Sequence, residues 1–167
     1  NSEKGKAPLI SVFGGKITTY RKLAEAATDK LCQFFPEAGG RWTKKGVLPG
    51  GDFANHEALE ETLRRDYPWL TEKVISRYVR TYGTTSYDIL RNCTSMEDLG
   101  IHFAGTLYER EVEHLVKNEW AMTSEDILWR RTKQGLYASD SDIESLERYL
   151  MKTVTTETRK TALHHSA

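Results

Sequence analysis

The chain has 167 residues, 38% hydrophobic and 29% charged, which is typical of a soluble globular protein with one domain, or with one domain and part of another. Lys plus Arg and Asp plus Glu each number 24, and this zero net charge argues against nucleic acid as the main partner, because nucleic-acid-binding domains carry a basic face. No apolar run approaches the roughly 20 residues that span a bilayer, which leaves only peripheral membrane contact open.

The first predicted elements are a short strand, a glycine turn and a helix. Residues Pro8 to Phe13 are apolar and β-branched enough to predict a buried strand. Gly14, Gly15 and Lys16 follow it directly. We expect the helix after them to end near Phe35, because a proline and two glycines come next. The apolar residues at helical spacing are Ile17, Tyr20, Leu23, Ala24, Ala27 and Leu31.

The glycine turn is the first candidate for chemistry. A helix start leaves backbone N–H groups without intrahelical partners, and their partial positive charge favours an anion or an electron-rich carbonyl. Lys16 adds a full positive charge there. The alternative is that Gly14 and Gly15 only permit positive φ in a tight turn beside a solvated lysine. A Walker A loop is excluded, because Ile10 and Ile17 stand where that motif needs glycine and Ser or Thr.

A linker with several glycines separates these elements from the rest of the chain. We expect one short strand around Val47, followed by the turn Pro49-Gly50-Gly51. We place the domain boundary at that turn, so that residues 1–51 form the first part and residues 52–167 the second. Beyond Phe53 the pattern predicts helices and no strand, which makes the chain mainly α.

The second part is predicted as a series of helices with identifiable ends. Thr71 is expected to cap one helix that stops at Gly83. Thr123 with Asp126, and Ser141 with Glu144, are expected to form capping boxes. The polar tail from Thr155 is expected to fray. The expected helical segments are 56–67, 71–82, 87–91, one turn in 95–100, 106–121, 123–135 and 142–154.

Three further groups contain residue types that can bind metals or anions. Cys32 and Cys93 lack the spacing of metal ligands or of a disulfide framework, which favours a reducing cytoplasm. Glu111 and His114 match one E-x-x-H pair, but a second pair is missing, so we interpret them as surface residues and predict no metal. The arginines beside Trp129 are expected to pair with nearby acids and not with phosphate.

Several stretches resemble the C-terminal part of FAD-dependent, quinone-linked glycerol-3-phosphate dehydrogenases. The stretches are FGGKITTYRKLAE, YGTTSYDIL and HFAGTLYEREVEHLVKNEWAMTSEDILWRRTKQGL. The resemblance runs from about Pro8 to Leu150. It implies a helical C-terminal cap domain, residues 52–167, preceded by a strand-turn-helix piece of a DAO-like FAD-binding domain, residues 1–51.

The resemblance also implies a role for the glycine turn. In this family the turn meets the pyrimidine edge of the flavin, so the resemblance makes Gly14, Gly15, Lys16, Ile17, Thr18 and Thr19 cofactor-binding residues. Negative charge develops on that edge during reduction, and amide donors with an ammonium would stabilise it. Lys16 is the candidate catalytic residue. Thr19 and Arg21 are weaker candidates, and Arg21 could serve the fold alone.

The family reaction oxidises sn-glycerol 3-phosphate to dihydroxyacetone phosphate and passes the electrons through FAD to membrane quinone. The chain lacks the dinucleotide-binding unit with its glycine fingerprint. We therefore expect a C-terminal fragment whose partner is the missing N-terminal FAD-binding half. Alone it should be inactive and should not bind FAD tightly. The resemblance implies a cytoplasmic protein, and leaves open a peripheral site on the inner face of the plasma membrane.

Two other functions remain open from the sequence. The chain could be a non-catalytic helical module for protein interaction or membrane apposition, or a domain that holds free phosphate at the helix start. The unpaired strand predicted at residues 8–13 also leaves homodimer formation open, because an exposed strand edge associates readily with a neighbour.

Overall fold

The computed structural model describes residue 7 and residues 9–164, with side chains up to residue 153. Two compact units are present, one ending at Leu48 and one beginning at Pro49. The chain is mainly helical, as predicted, and its one sheet among the described residues has two short strands. In the described part, no helix combines the length and the apolar character needed to cross a bilayer.

The first unit contains one helix and no strand among its described residues. The strand predicted for Pro8 to Phe13 is wrong at residues 9–13, where no described residue supplies the hydrogen bonds that a strand needs; Pro8 lies outside the described residues. A 3₁₀ turn at Ile17–Thr19 leads into α1, Tyr20–Cys32. The short strand expected around Val47 is also absent, because the chain there forms a turn on the Trp42 carbonyl.

The second unit begins with two capped helices, α2 (His56–Asp66) and α3 (Glu72–Tyr82). Asn55 caps α2 by accepting a hydrogen bond from Ala58 N, and Thr71 caps α3 as predicted. The predicted core faces of both helices are confirmed, since all their members are buried: Leu59, Leu63, Val74, Ile75, Tyr78, Val79 and Tyr82.

Gly50, near the start of this unit, contacts the backbone at the end of α3, where Gly83 lies. Gly83 ends α3 with a φ of 55°, as a terminal glycine should, and Gly50 has a φ of 81°. A Cβ on Gly83 would overlap the Gly50 carbonyl, and a Cβ on Gly50 would overlap the Tyr82 carbonyl. The Thr84 N–H donates to the Gly50 oxygen at 3.0 Å. The two backbone segments therefore touch directly.

A small hairpin follows α4 (Ser86–Ile89) and a 3₁₀ turn at Met96–Leu99. Its strands are β1 (His102–Ala104) and β2 (Leu107–Tyr108), antiparallel with an irregularity in their register. The prediction of no strand beyond Phe53 was therefore wrong. Strands of three and two residues are too short to show alternation in a sequence.

Three more helical elements complete the second unit. Helix α5 covers Glu109–Glu119 and starts three residues later than predicted, because β2 precedes it. A π-helix covers Asp126–Arg131, and the predicted capping box between Thr123 and Asp126 is confirmed by two reciprocal hydrogen bonds. Helix α6 covers Asp140–His164, so the expected fraying from Thr155 is not seen.

The cap of α6 differs from the prediction by two residues. Ser139 and Asp142 exchange hydrogen bonds between side chain and backbone, in place of Ser141 and Glu144. Both pairs match the spacing of a capping box, and the helix begins at the earlier one. The core of the unit is one cluster of buried apolar side chains, whose largest members include Tyr78, Phe103, Leu115 and Leu146.

Candidate functional site

The glycine turn is an exposed loop that ends in a helix start. Gly14 has a φ of 74° and Gly15 a φ of 146°, values that favour glycine. A Cβ on Gly15 would also come within 3.2 Å of Leu23 Cδ2. The two glycines therefore have the expected positive φ values. Neither carries a side chain that would cover the backbone of the turn.

The backbone of the turn leaves donors without acceptors. At the helix start, the first hydrogen bonds are those that the Thr19 N–H and the Thr19 hydroxyl donate to the Lys16 carbonyl, at 2.9 and 3.1 Å. Among the described residues, no acceptor is recorded for the amides of residues 15–18. No ion pair of the Lys16 ammonium is recorded among them either. The turn thus presents amides and one cation to its surroundings.

Large apolar side chains surround this turn and face solvent. None of the described residues of the first unit is buried, and α1 has no buried residue. Phe13 is 93% exposed, Ile17 88% and Tyr20 65%. Unpartnered apolar side chains of this size mark a surface that binds another surface.

Helix α1 is joined to the segment after it by polar contacts at Glu25 and Asp29. The Thr43 hydroxyl donates to Glu25 Oε1 at 2.5 Å, and Arg21 Nη1, on α1 itself, donates to the same oxygen at 2.7 Å. These bonds, that of Thr43 first, lower the pKa of Glu25. Arg41 binds Asp29 in the same way. Arg21 is engaged within the fold, whereas Lys16 forms no ion pair within the described part of the chain.

The structure changes the interpretation of Glu111 and His114. Both were expected at the surface, but Glu111 is fully buried and the His114 side chain is only 9% exposed. Arg77 of α3 holds Glu111 through two bonds, from Nη1 at 2.6 Å and from Nη2 at 2.5 Å. The Tyr82 hydroxyl donates to the same carboxylate at 2.5 Å.

The buried Arg77–Glu111 pair also reaches the hairpin. Arg77 Nε donates to Thr106 Oγ1 at 2.6 Å, and Nη2 donates to the Thr106 carbonyl at 2.7 Å. The Thr106 N–H in turn donates to Gln134 Oε1 at 2.8 Å. Burial would lower the pKa of Arg77, but the hydrogen bonds and charge of Glu111 raise it. No local sequence pattern indicates this pair, because Arg77 and Glu111 are 34 residues apart along the chain.

The arginines beside Trp129 pair with acids, as predicted. Arg130 bonds Asp126 at 2.7 Å and Glu125 at 2.8 Å. Arg131 bonds the Glu119 carbonyl at 2.6 Å and lies 3.6 Å from its carboxylate. Four acceptor groups thus occupy these two guanidinium groups, which leaves the glycine turn as the stronger candidate for an anionic or electron-rich ligand.

Comparison with known families shows to which family the chain belongs. A family model described as the C-terminal domain of alpha-glycerophosphate oxidase matches residues 41–159, more than two thirds of the chain. The chain belongs to this family. The resemblance inferred from the sequence is therefore confirmed at the level of the family.

Three relatives show how widely this domain is used. Glycerol-3-phosphate dehydrogenase of Pseudomonas aeruginosa is 50% identical over 147 residues, which are 87% of this chain and 29% of the relative. Aerobic glycerol-3-phosphate dehydrogenase of Escherichia coli is 45% identical over 153 residues, 91% and 30% respectively. D-Erythritol 1-phosphate dehydrogenase of Brucella abortus is 46% identical over 142 residues, 84% and 28%. The chain spans less than a third of the length of each.

Proposed function

We propose that the chain is the C-terminal part of an FAD-dependent, quinone-linked glycerol-3-phosphate dehydrogenase, and that its glycine turn contacts the pyrimidine edge of the flavin. The observation that carries the proposal is that the amides of residues 15–18 have no acceptor among the described residues, and that the Lys16 ammonium beside them forms no ion pair with any of those residues. The family and two relatives named for glycerol-3-phosphate dehydrogenase support it.

The residues of the turn fit a group that is rich in hydrogen-bond acceptors. Bound FAD would take up a hydride equivalent from the substrate, which places negative charge on its pyrimidine edge. The amides of Gly15, Lys16, Ile17 and Thr18 would donate to that edge, and the Lys16 ammonium would add a full charge. These donors are oriented before the reaction, so they need no reorganisation as charge develops.

The remaining residues of the turn shape it. Gly14 and Gly15 hold positive φ and allow a close approach of backbone to ligand. Thr19 closes the first helical bonds on the Lys16 carbonyl, which fixes the direction of the amides before it. In this proposal Thr19 acts on the turn, and Arg21 supports α1 through Glu25.

The proposed substrate is sn-glycerol 3-phosphate, with quinone as electron acceptor. The test is an assay of the longer polypeptide that contains this chain, with a short-chain quinone. We expect glycerol 3-phosphate to be oxidised at a kcat/KM at least about tenfold above that of D-erythritol 1-phosphate. The D-erythritol ester is the matched control, because a relative named for it is 46% identical to the chain. A preference for that ester would assign the chain to the other dehydrogenase.

The isolated chain is proposed to be inactive, because most of the cofactor's binding surface would lie in the N-terminal FAD-binding half. A titration of FAD into the purified 167-residue chain, followed by flavin fluorescence, should show no tight binding. Gel filtration of the same sample would report whether the chain forms a homodimer. Tight one-to-one binding of FAD would contradict the fragment proposal and locate the cofactor's affinity in these residues.

A second candidate is a non-catalytic helical module for interaction or membrane apposition. The observation that favours it is the apolar exposure of the first unit, notably Phe13 and Ile17. Under the leading proposal these side chains would pack on the missing N-terminal half.

The proposed glycerol-3-phosphate dehydrogenase would work in the cytoplasm, at a peripheral site on the inner face of the plasma membrane, where it would reach quinone.

A further inference from the structure

The second unit contains a cavity that the proposed flavin contact does not use. Its volume is about 810 Å³, and it opens between the end of α3, helix α4 and helix α5. Apolar walls come from Pro49, Ile89 and the ring of Tyr82, while His114 and Lys117 of α5 supply polar walls. A water molecule occupies roughly 30 Å³ in the liquid, so the cavity has room for a small organic molecule.

The charges that line the cavity are paired, with one exception. Asp88 lies 2.5 Å from Arg91, and Glu113 lies 3.6 Å from Arg110. Glu119 lies 3.6 Å from Arg131, which is outside the cavity lining. For Lys117 no acidic partner is recorded anywhere in the described part of the chain. Each carboxylate that lines the cavity thus pairs with a guanidinium. The Lys117 ammonium is the charged group of the lining that has no acidic partner among the described residues.

The His114 ring supplies a second donor to this cavity. The Asn118 amide nitrogen lies 3.2 Å from His114 Nδ1, which fits a tautomer that accepts there and carries its proton on Nε2. Glu119 Oε1 lies 4.0 Å from Nε2, too far for a hydrogen bond. Burial lowers the pKa of His114, so the ring is a neutral donor at neutral pH. Its side chain is nine-tenths buried.

We propose that this cavity binds a small organic oxyanion, a phosphate ester or a carboxylate. The anionic group would sit between the Lys117 ammonium and His114 Nε2, and the organic part would lie on Ile89 and the Tyr82 ring. His114 and Lys117 are three residues apart on α5, so they share one face of the helix. This site is independent of the flavin contact, because it draws only on residues of the second unit.

The test is a titration of the purified 167-residue chain with 3-phosphoglycerate, which carries both anionic groups. NMR of the imidazole resonances should show a saturable shift at His114. Lys117→Gln should weaken the affinity about tenfold or more, since a charge-assisted hydrogen bond is lost. Lys73→Gln is the matched control, because Lys73 is an exposed lysine of α3 outside the cavity lining. It should leave the affinity unchanged.

Any one of three results with 3-phosphoglycerate would overturn the proposal. They are the absence of a saturable His114 shift, an unchanged affinity in Lys117→Gln, and an equal loss of affinity in both lysine variants. Glycerol should produce no shift, and a shift as large as that with 3-phosphoglycerate would show that the anion is not what the cavity recognises. Lys117 is exposed, so Lys117→Gln should fold normally, which far-UV circular dichroism would verify.

Discussion

Replacement of Lys16 by methionine, in the longer polypeptide that contains this chain, is expected to lower glycerol 3-phosphate oxidation about 100- to 1,000-fold. That is the typical cost of removing one preorganised donor from a site where charge develops in the transition state. The ammonium would stabilise the flavin edge only as it becomes negative, so kcat should fall while KM changes little. The measurement is steady-state turnover with a quinone acceptor.

Two further measurements separate this role from a structural one. The flavin midpoint potential should fall in Lys16→Met, because the reduced, more negative form loses its cation. Lys22→Met is the matched control, since Lys22 is another exposed lysine and lies on α1. It should retain wild-type turnover and potential. If Lys16→Met keeps wild-type turnover with a full content of FAD, the catalytic role is wrong and the interaction module is favoured.

Replacement of Glu111 by alanine should lower the free energy of unfolding by about 3–5 kcal/mol, the usual cost of leaving one member of a buried ion pair alone. The carboxylate is fully buried, and Arg77 and Tyr82 both donate to it. Its loss would leave Arg77 Nη1 and the Tyr82 hydroxyl without their acceptor, and the buried Arg77 charge without its counter-ion. Urea unfolding followed by circular dichroism would measure the change.

A double-mutant cycle identifies the pair as the cause. Arg77→Met should also be strongly destabilising, and the double variant Arg77→Met with Glu111→Ala should lose less than the two single variants summed. Glu113→Ala is the control on the same helix, because the Glu113 side chain is 47% exposed and its partner Arg110 is 3.6 Å away. Its cost should stay below about 1 kcal/mol. Strict additivity would disprove a coupled pair.

Local patterns predicted the parts of the fold that local physics determines. Thr71 caps α3 and Gly83 ends it because the cap and the positive φ involve only neighbouring residues. The buried stripe of α3 follows from helical spacing. Ser139 replaced Ser141 as the cap of α6 because two overlapping capping boxes compete, and spacing alone does not rank them.

Contacts distant in sequence could not be predicted in this way. Glu111 was placed at the surface because a single E-x-x-H pair without a second one fits a surface Glu and His one turn apart, but Arg77 and Tyr82 of another helix bury it. The cavity beside His114 depends on how α3 and α5 pack. The strand predicted for Pro8 to Phe13 failed at residues 9–13, since a strand depends on partners that the described residues do not offer.

The same distinction between local patterns and distant contacts applies to the glycine turn. The sequence placed Gly14, Gly15 and Lys16 before a helix, and the backbone there has the positive φ values and open amides that such a turn implies. The identity of the group that would accept those hydrogen bonds came from resemblance to a family. Amides and an ammonium define the polarity of a ligand but not its chemical skeleton.

The contact between Gly50 and Gly83 makes two positions depend on each other. A side chain on Gly83 would meet the Gly50 carbonyl, and one on Gly50 would meet the Tyr82 carbonyl directly before Gly83; both glycines have positive φ. A substitution at either one therefore cannot be rescued by a small residue at the other, since both are already as small as a residue can be. A laboratory search for stabilised variants of this domain should hold both glycines fixed and randomise the residues around them.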